Sequence, residues 1–367
     1  MGYIITCFII IVNLLGTTVK KNSKIIICLS IIAMWVLFGW NNNNPDYVNY
    51  FRSYNVIYFS DGLTLTGRDI GFKLLMNISS LIGLDYKGFL IITSIVGILL
   101  IHSTVKKYST NSSFVYLLYF IYPFFLDVVQ VRNFLMMAII IYSIRFLLQD
   151  SKYSNLKYFL FNMVAVLMHS AAILYLPLLF IKKNNKNNLI KGVVLFSFLF
   201  SIIIFLNGNE IPFIKDIMRL FIDNQYIISW FDKKTEYGFL LFWGMHFLSF
   251  FMIRASRNLV LTNSDILDPI HIKFVNITYW VFVIGFIWFP FYMVSIEFTR
   301  LMRNLFLLNY ISFTITNKAI SQSRIESKVI YNTFVFAYTL CFFIIQIYSP
   351  HFEDVFVKIL ENNYLWQ

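Results

Sequence analysis

Charged residues are scarce in this 367-residue chain, in which Asp, Glu, Lys and Arg together make up 13% and hydrophobic residues 59%. A soluble domain of this length cannot bury so much apolar surface in one core. The shortage of charge therefore excludes a water-soluble protein and predicts an integral membrane protein. Aromatic residues reach 19%, and many of these rings are expected at the membrane interfaces or along an interior groove.

Motifs of soluble enzymes and of metal sites are missing as well. The three cysteines, Cys7, Cys28 and Cys341, fall inside apolar segments and give neither a disulfide framework nor a metal-ligand spacing. The sequence has no glycine-rich phosphate loop, no paired His and Cys ligands and no nucleophile elbow. We therefore expect no metal and no cofactor. The net charge of +12 is read as a report of membrane topology, and we expect no nucleic-acid partner.

Apolar runs that are candidates for helical spans recur along the whole chain. They lie near 2–17, 24–40, 88–105, 114–127, 132–149, 158–181, 192–206, 238–255, 274–294, 304–318 and 329–349. The short basic stretches between them belong in the cytoplasm, which leaves 41–87, 128–131, 207–237, 295–303 and a tail at 350–367 outside. The sequence thus predicts an all-α polytopic membrane protein with about 10–12 transmembrane helices. Residues 1–367 are expected to form a single integral membrane domain.

Two segments depart from simple alternation. The run 158–181 has lysine-rich loops at both ends, so it is interpreted as a hairpin of two short helices that turns near His169, with Pro177 in the return limb. The alternative is one ordinary span, in which case the positive-inside signal is wrong on one side of the membrane. The segment 71–84 is too short to span and has external flanks, so it is expected to be an external amphipathic or re-entrant helix.

Arginines collect at the predicted outer boundary, where few are expected. Arg132 begins a long apolar helix, and Arg300 and Arg303 are spaced to project from one helical face. The guanidinium fork suits phosphate oxygens, and His169 lies at membrane depth nearby in this topology. Taken singly, each arginine is expected to pair with a nearby acid. Taken together, they predict a pyrophosphate site formed by Arg132, His169, Arg300 and Arg303.

The external loops also offer carboxylates and sugar-binding side chains. Asp46, Asp69 and Glu297 are candidates for a general base, and residue order alone does not choose among them. Carboxylates, amides and aromatic rings are the groups that bind sugar hydroxyls and pyranose faces. The candidate substrate contacts are Tyr47, Tyr50, Arg52, Arg68, Gln130 and Asn133. The run Asn41–Asn44 is interpreted as a plain solvated loop.

Three stretches together resemble the EpsG/Wzy family of bacterial polysaccharide polymerases. They are DYVNYFRSY running on to GRDIGFKLLMNISSLIGLDY, then QVRNFLMMA, and then MHSAAILYLPL. The residues that fall on the family pattern are Asp46-Tyr47, Asp69-Ile70-Gly71-Phe72, Arg132 and His169-Ser170-Ala171, with Arg300 and Arg303 resembling a later arginine. Asn133 stands where glutamine is more usual, and Asp69 where glutamate is, and both substitutions shorten the reach of the side chain. The resemblance covers residues 40–185 well.

The resemblance implies a GT-C-like membrane glycosyltransferase that acts on the outer face of the bacterial cytoplasmic (inner) membrane. Its substrates would be undecaprenyl-pyrophosphate-linked oligosaccharides, and the growing glycan would pass to the non-reducing end of the next unit. The expected chemistry is an inverting, metal-independent transfer with catalytic groups among Asp46, Asp69, Arg132, His169, Glu297 and Arg300. Expected partners are membrane lipids and a chain-length regulator. A flippase of the same lipid-linked oligosaccharide and a polysaccharide ligase remain as alternatives, as do O-antigen, capsule and exopolysaccharide as products.

Overall fold

The computed structural model describes residues 1–18, 23–59, 69–182, 185–213, 235–320 and 325–367. It is 84% helical, and the described residues form no strand apart from an isolated antiparallel bridge between Asn41 and Asn363. The helices are α1 Gly2–Thr18, α2 Lys24–Gly39, α3 Tyr47–Tyr58, α4 Ile70–Leu81, α5 Tyr86–Tyr108, α6 Ser112–Ile121, α7 Phe124–Val129, α8 Val131–Leu147, α9 Ser154–Met168, α10 Lys186–Leu206, α11 Phe239–Thr262, α12 Pro269–Gly285, α13 Phe289–Val294, α14 Arg300–Arg303, α15 Phe306–Ala319 and α16 Ile325–Phe343.

Five helical stretches in the described part of the chain are long and apolar enough to cross a membrane. They are Tyr86–Tyr108, Lys186–Leu206, Phe239–Thr262, Pro269–Val294 and Ile325–Glu361. Shorter apolar helices, α1, α2 and α6 among them, pack alongside. The prediction of an all-α polytopic membrane protein is therefore confirmed.

Helix α8 lies at the centre of the bundle, and its first turn carries Arg132. It packs against both α5 and α9, and most of its side chains are buried. The contact with α5 is close because Gly97 has no side chain, since a Cβ there would lie 2.2 Å from the ring of Phe134. A buried helix held on both sides fixes the position of whatever projects from its first turn.

The run 158–181 folds back on itself. Helix α9 ends at Met168, His169 follows it, and a 3-10 helix, here called the return limb, continues over Ser170–Lys182. The Tyr158 hydroxyl donates to the Tyr175 carbonyl at 2.9 Å, and the Asn162 amide donates to the Ala172 carbonyl at 3.2 Å. This antiparallel pairing is that of the predicted hairpin and not of one continuous span.

Loops that were predicted to share the cytoplasmic side contact one another. Lys182, at the end of the return limb, donates to the carbonyl of Gln149 just after α8. Lys273 of α12 pairs with Asp150 in the same loop. These contacts lie at the end of α8 opposite to Arg132, so the basic loops and the first turn of α8 are on opposite faces of the bundle.

The structure differs from the sequence prediction after residue 349. The tail expected at 350–367 is helical as far as Glu361, and residues 362–367 alone follow the helix. The chain is π-helical on both sides of Pro350, over Ile344–Tyr348 and Phe352–Val357. These widened turns keep the chain helical although proline donates no backbone hydrogen bond.

Candidate active site

The site is organised around Asp69, which precedes the first turn of α4. Its backbone is left-handed, with φ 58° and ψ 44°, which is uncommon for a residue with a side chain. Such conformations cost on the order of 1–3 kcal/mol and are retained where surrounding contacts impose them. The predicted helix at 71–84 is confirmed as α4, Ile70–Leu81, with Asp69 held at its start.

Gly71 explains how Asp69 reaches the hairpin. A Cβ at Gly71 would lie 2.8 Å from Cβ of Leu167 and 3.0 Å from the Leu167 carbonyl oxygen. Only glycine therefore lets the start of α4 lie directly against the end of α9. Phe72, which is 2% exposed, packs on the ring of Tyr50 and fixes α4 from the other side.

The Asp69 carboxylate joins three elements. One oxygen accepts from Nη1 of Arg132 at 2.7 Å, and the other accepts from the backbone N–H of Ser170 at 3.0 Å. Nδ1 of His169 lies 3.5 Å from the second oxygen. The structure thus brings together Asp69, Arg132 and His169, which are 37 to 100 residues apart in the chain.

Helix α3 supplies the next two groups. The Arg132 guanidinium lies 5.4 Å from the centre of the Tyr50 ring, and its Nε lies 3.4 Å from the Tyr50 hydroxyl. Asp46, one turn before Tyr50, is half-buried and lies within electrostatic range of Arg132 and Arg300. Because Arg132 is still 35% exposed while holding Asp69, it keeps surface with which to bind a ligand.

Arg300 lies close to two other cations of the site, Arg303 and Arg132. It pairs with Glu297, whose side chain is 53% exposed. Burial, together with the charges of Arg303 and Arg132, lowers the pKa of Arg300 to about 10, although Asp46 and Tyr50 act in the opposite direction. A guanidinium in such surroundings gains from an anionic ligand, since an opposite charge favours the charged form.

Next to these charged residues lies a layer of buried polar side chains whose hydrogen bonds hold α14 against α8. Arg303 is 4% exposed and donates to the side chain of Gln130. Asn133 and Asn304 exchange two amide hydrogen bonds at 2.9 and 3.0 Å. Asn304 also donates to the hydroxyl of Tyr175, at 3.1 Å. These bonds hold the Arg300 turn against the first turn of α8 and against the return limb.

The carboxylates have different electrostatic surroundings. Burial raises the pKa of Asp46, and Arg300 and Arg132 only partly oppose this. Burial would also raise the pKa of Asp69, but His169, Arg132 and the Ser170 N–H together lower it below its ordinary value. A carboxylate with a raised pKa is the better proton acceptor, whereas one that is fully paired is a poor one.

The predicted substrate contacts other than Tyr50 differ in how they are placed and bonded. Tyr47 shares a hydrogen bond of 2.9 Å with the hydroxyl of Tyr364. Arg52 is exposed on α3, and Arg68 lies outside the described residues. The amides of Gln130 and Asn133 are engaged with Arg303 and Asn304, as described above. The solvated loop expected at Asn41–Asn44 is wrong for two of its members, since Asn41 is 0% and Asn44 6% exposed.

Some contributors to the site were not among the predicted residues. Tyr175, Asn304 and the Ser170 N–H support its charged groups. Ser170 falls on the family pattern, whereas the sequence signal of Tyr175 and Asn304 was their nearness to predicted residues. Within the described residues, no three His, Cys, Asp or Glu side chains come together in a way that would hold a metal ion.

Fold and site together define a multi-pass helical membrane protein with a cluster of arginines and carboxylates at one end of its bundle. Such a cluster suits a substrate that carries both an anion and hydroxyl groups. The family model of the EpsG family matches residues 24–359, and the chain belongs to the EpsG family. This is the family of Wzy-type polysaccharide polymerases, so the chain is a glycosyltransferase-like polysaccharide polymerase. No curated protein and no solved structure matches the chain.

Proposed function

We propose that this polymerase joins undecaprenyl-pyrophosphate-linked repeat units on the outer face of the bacterial cytoplasmic membrane. The growing glycan leaves its lipid carrier and is transferred to the non-reducing-end hydroxyl of the next lipid-linked unit. The observation that carries this proposal is that Arg300, paired with the exposed carboxylate of Glu297, and the partly exposed Arg132 lie within electrostatic range of each other. A lipid pyrophosphate is an anion that such a pair would hold at the membrane boundary.

Arg132 and Arg300 are the proposed pyrophosphate ligands, with His169 beside Arg132. Glu297 is the solvent-side partner of Arg300, so a pyrophosphate oxygen that binds Arg300 would replace the Glu297 carboxylate at the guanidinium. Arg303 is buried against Gln130, and its proposed role is to add positive potential from behind. Preorganised cations of this kind typically contribute about 10²–10³ in rate each.

Asp46 is the proposed general base. It takes the proton of the acceptor hydroxyl while that oxygen attacks the anomeric carbon of the donor sugar. The bond between the anomeric carbon and the pyrophosphate oxygen breaks, its electron pair stays on the pyrophosphate, and the anomeric configuration inverts. The proposed step needs no metal, because guanidinium groups stabilise the negative charge that develops on the leaving pyrophosphate. The raised pKa of Asp46 favours it over the paired Asp69.

Asp69 is proposed to position other residues of the site. Its carboxylate orients Arg132 and anchors the start of the return limb through Ser170, so it acts through other residues and not on the substrate. The loop charges support the proposed outer-face position, since the basic loops gather at the end of α8 that is opposite to this site.

The test is the lipid-linked glycan profile of a deletion strain complemented with wild type, Arg132→Ala or Arg254→Ala. Arg254 is an exposed arginine of α11 and serves as the matched control. We expect a normal ladder with wild type and the control, and single repeat units on the outer face with Arg132→Ala. A normal ladder with Arg132→Ala would refute the pyrophosphate role. Units trapped inside the deletion strain would indicate a flippase, and long unattached chains a ligase.

A further inference from the structure

Three asparagines outside the site are more deeply buried than their polarity leads one to expect. Asn41 and Asn363 are 0% exposed and Asn44 is 6% exposed. A buried amide is costly unless its donors and acceptors are used. The three residues lie between the end of α2, the start of α3 and the segment 362–367, so their hydrogen bonds decide how these parts meet.

The amides form a relay that ends on the backbone of Asp46. Nδ2 of Asn41 donates to the carbonyl of Asn362 at 2.8 Å. Oδ1 of Asn41 accepts from Nδ2 of Asn44, also at 2.8 Å. Oδ1 of Asn44 then accepts from the backbone N–H of Asp46 at 3.1 Å. Each amide uses both its donor and its acceptor, so the relay has a defined direction.

The segment 362–367 is itself anchored to α2. Asn363 donates to the carbonyl of Val36 at 2.9 Å, and the backbone N–H of Tyr364 donates to the carbonyl of Trp40, also at 2.9 Å. The Tyr364 hydroxyl in turn lies 2.9 Å from the hydroxyl of Tyr47, which follows Asp46 directly. The relay and this hydroxyl pair therefore hold Asp46 from its two sides.

We infer that Asn44, Asn41 and Tyr364 are positioning residues that set Asp46 for glycosyl transfer, an inference that rests on the proposed function. The Asp46 carboxylate makes no capping bond to α3, so its own helix does not fix it. Its direction toward Arg300 and Arg132 depends on where the backbone at 46 is held. A base must lie within hydrogen-bond reach of the acceptor hydroxyl, and a displacement of about 1 Å costs on the order of 10²-fold in rate.

The experiment compares Asn44→Ala with Asn43→Ala in purified protein reconstituted with a synthetic undecaprenyl-pyrophosphate-linked oligosaccharide. Asn43 is exposed and is the same residue type one position away. We expect Asn44→Ala to lower kcat about 10–100-fold with little change in KM for the lipid-linked unit, because the arginines that bind its pyrophosphate are unchanged. Asn43→Ala should match wild type. Equal kcat values for the two variants would overturn the inference.

Two further variants separate the possible failures. Asp46→Asn should remove activity; if it stays active the base assignment itself fails, whereas an inactive Asp46→Asn beside an unimpaired Asn44→Ala refutes the relay alone. Tyr364→Phe removes one hydroxyl and leaves the relay intact. It is therefore the variant that tests the inference if Asn44→Ala does not yield folded protein. We expect it to lower kcat several-fold without changing KM or the unfolding temperature, and wild-type kcat would contradict the inference.

Discussion

Replacing Gly71 by alanine tests the packing that brings Asp69 to the hairpin. The added Cβ would lie 2.8 Å from Cβ of Leu167, 2.9 Å from Cε of Met168 and 3.0 Å from the Leu167 carbonyl oxygen. The end of the Met168 side chain can move aside. The Leu167 atoms cannot, because they belong to or adjoin the backbone of α9. The start of α4 must therefore shift away from α9.

The size of the shift follows from these distances. Carbon atoms rest about 3.5–4.0 Å apart, so the start of α4 must move by about 1 Å. Overpacking of this kind costs about 1–3 kcal/mol, and the better helix propensity of alanine returns up to about 1 kcal/mol. We expect a net loss of about 1–2 kcal/mol in stability. The bonds from Asp69 to Arg132 and to the Ser170 N–H cannot both survive such a shift.

The assay measures the unfolding temperature and the polymerisation rate of the reconstituted variant. We expect a moderately lower Tm and a rate loss on the order of 10²-fold, since orientation of Arg132 is lost. Gly192→Ala is the matched control, because Gly192 lies in α10 with no atom within 4 Å of a Cβ. If Gly71→Ala were as active and as stable as Gly192→Ala, the close approach of α4 to α9 would play no part in the site.

Four other predictions concern charge and sidedness. Arg300→Lys should lose nearly as much kcat as Arg300→Ala, because an ammonium cannot replace the bidentate fork; near-normal turnover by the lysine variant would contradict this. Since the pKa of Asp46 is raised, kcat should fall with decreasing pH at a value above about 4, and a limb at or below the ordinary value would argue against Asp46 as base. The pKa of Asp69 is lowered, so its ion pairing stabilises the fold above about pH 4 and is lost as the pH falls through the lowered pKa; thermal unfolding of Asp69→Asn should show a weaker acid dependence than wild type. Asn43→Cys should react with an impermeant maleimide in intact cells and Ser151→Cys only after permeabilisation, the reverse pattern being incompatible with an outward-facing site.

Much of the fold could be predicted because apolar length and loop charge are local signals. The hairpin around His169 followed from lysines on both sides of one run, and the pairing of Tyr158 with Tyr175 confirms it. The helix beyond Pro350 was missed because proline normally ends a span, and the π-helical turns that accommodate it leave no local signature.

Most residues of the site could be predicted from the sequence, but the contacts among them could not. Asp69, Arg132 and His169 could be named from their residue types and motif context, yet their mutual contacts join distant parts of the chain. The burial of Asn41 and Asn44 was not predictable, because an asparagine run is typical of a solvated loop. Asn41 and Asn42 both bond to the carbonyl of Asn362, which lies more than 300 residues away in the chain.

The proposed mechanism requires Arg132 and Arg300 to hold a lipid pyrophosphate while its glycan is transferred. The most direct measurement is a single-turnover reaction in proteoliposomes with a defined undecaprenyl-pyrophosphate oligosaccharide as the sole substrate, counting undecaprenyl pyrophosphate released per linkage formed. We expect one undecaprenyl pyrophosphate released per linkage with wild-type protein and a rate lower by about 10²–10³ with Arg300→Ala. Linkage formation without release, or equal rates for the two proteins, would refute the proposed role of the arginines.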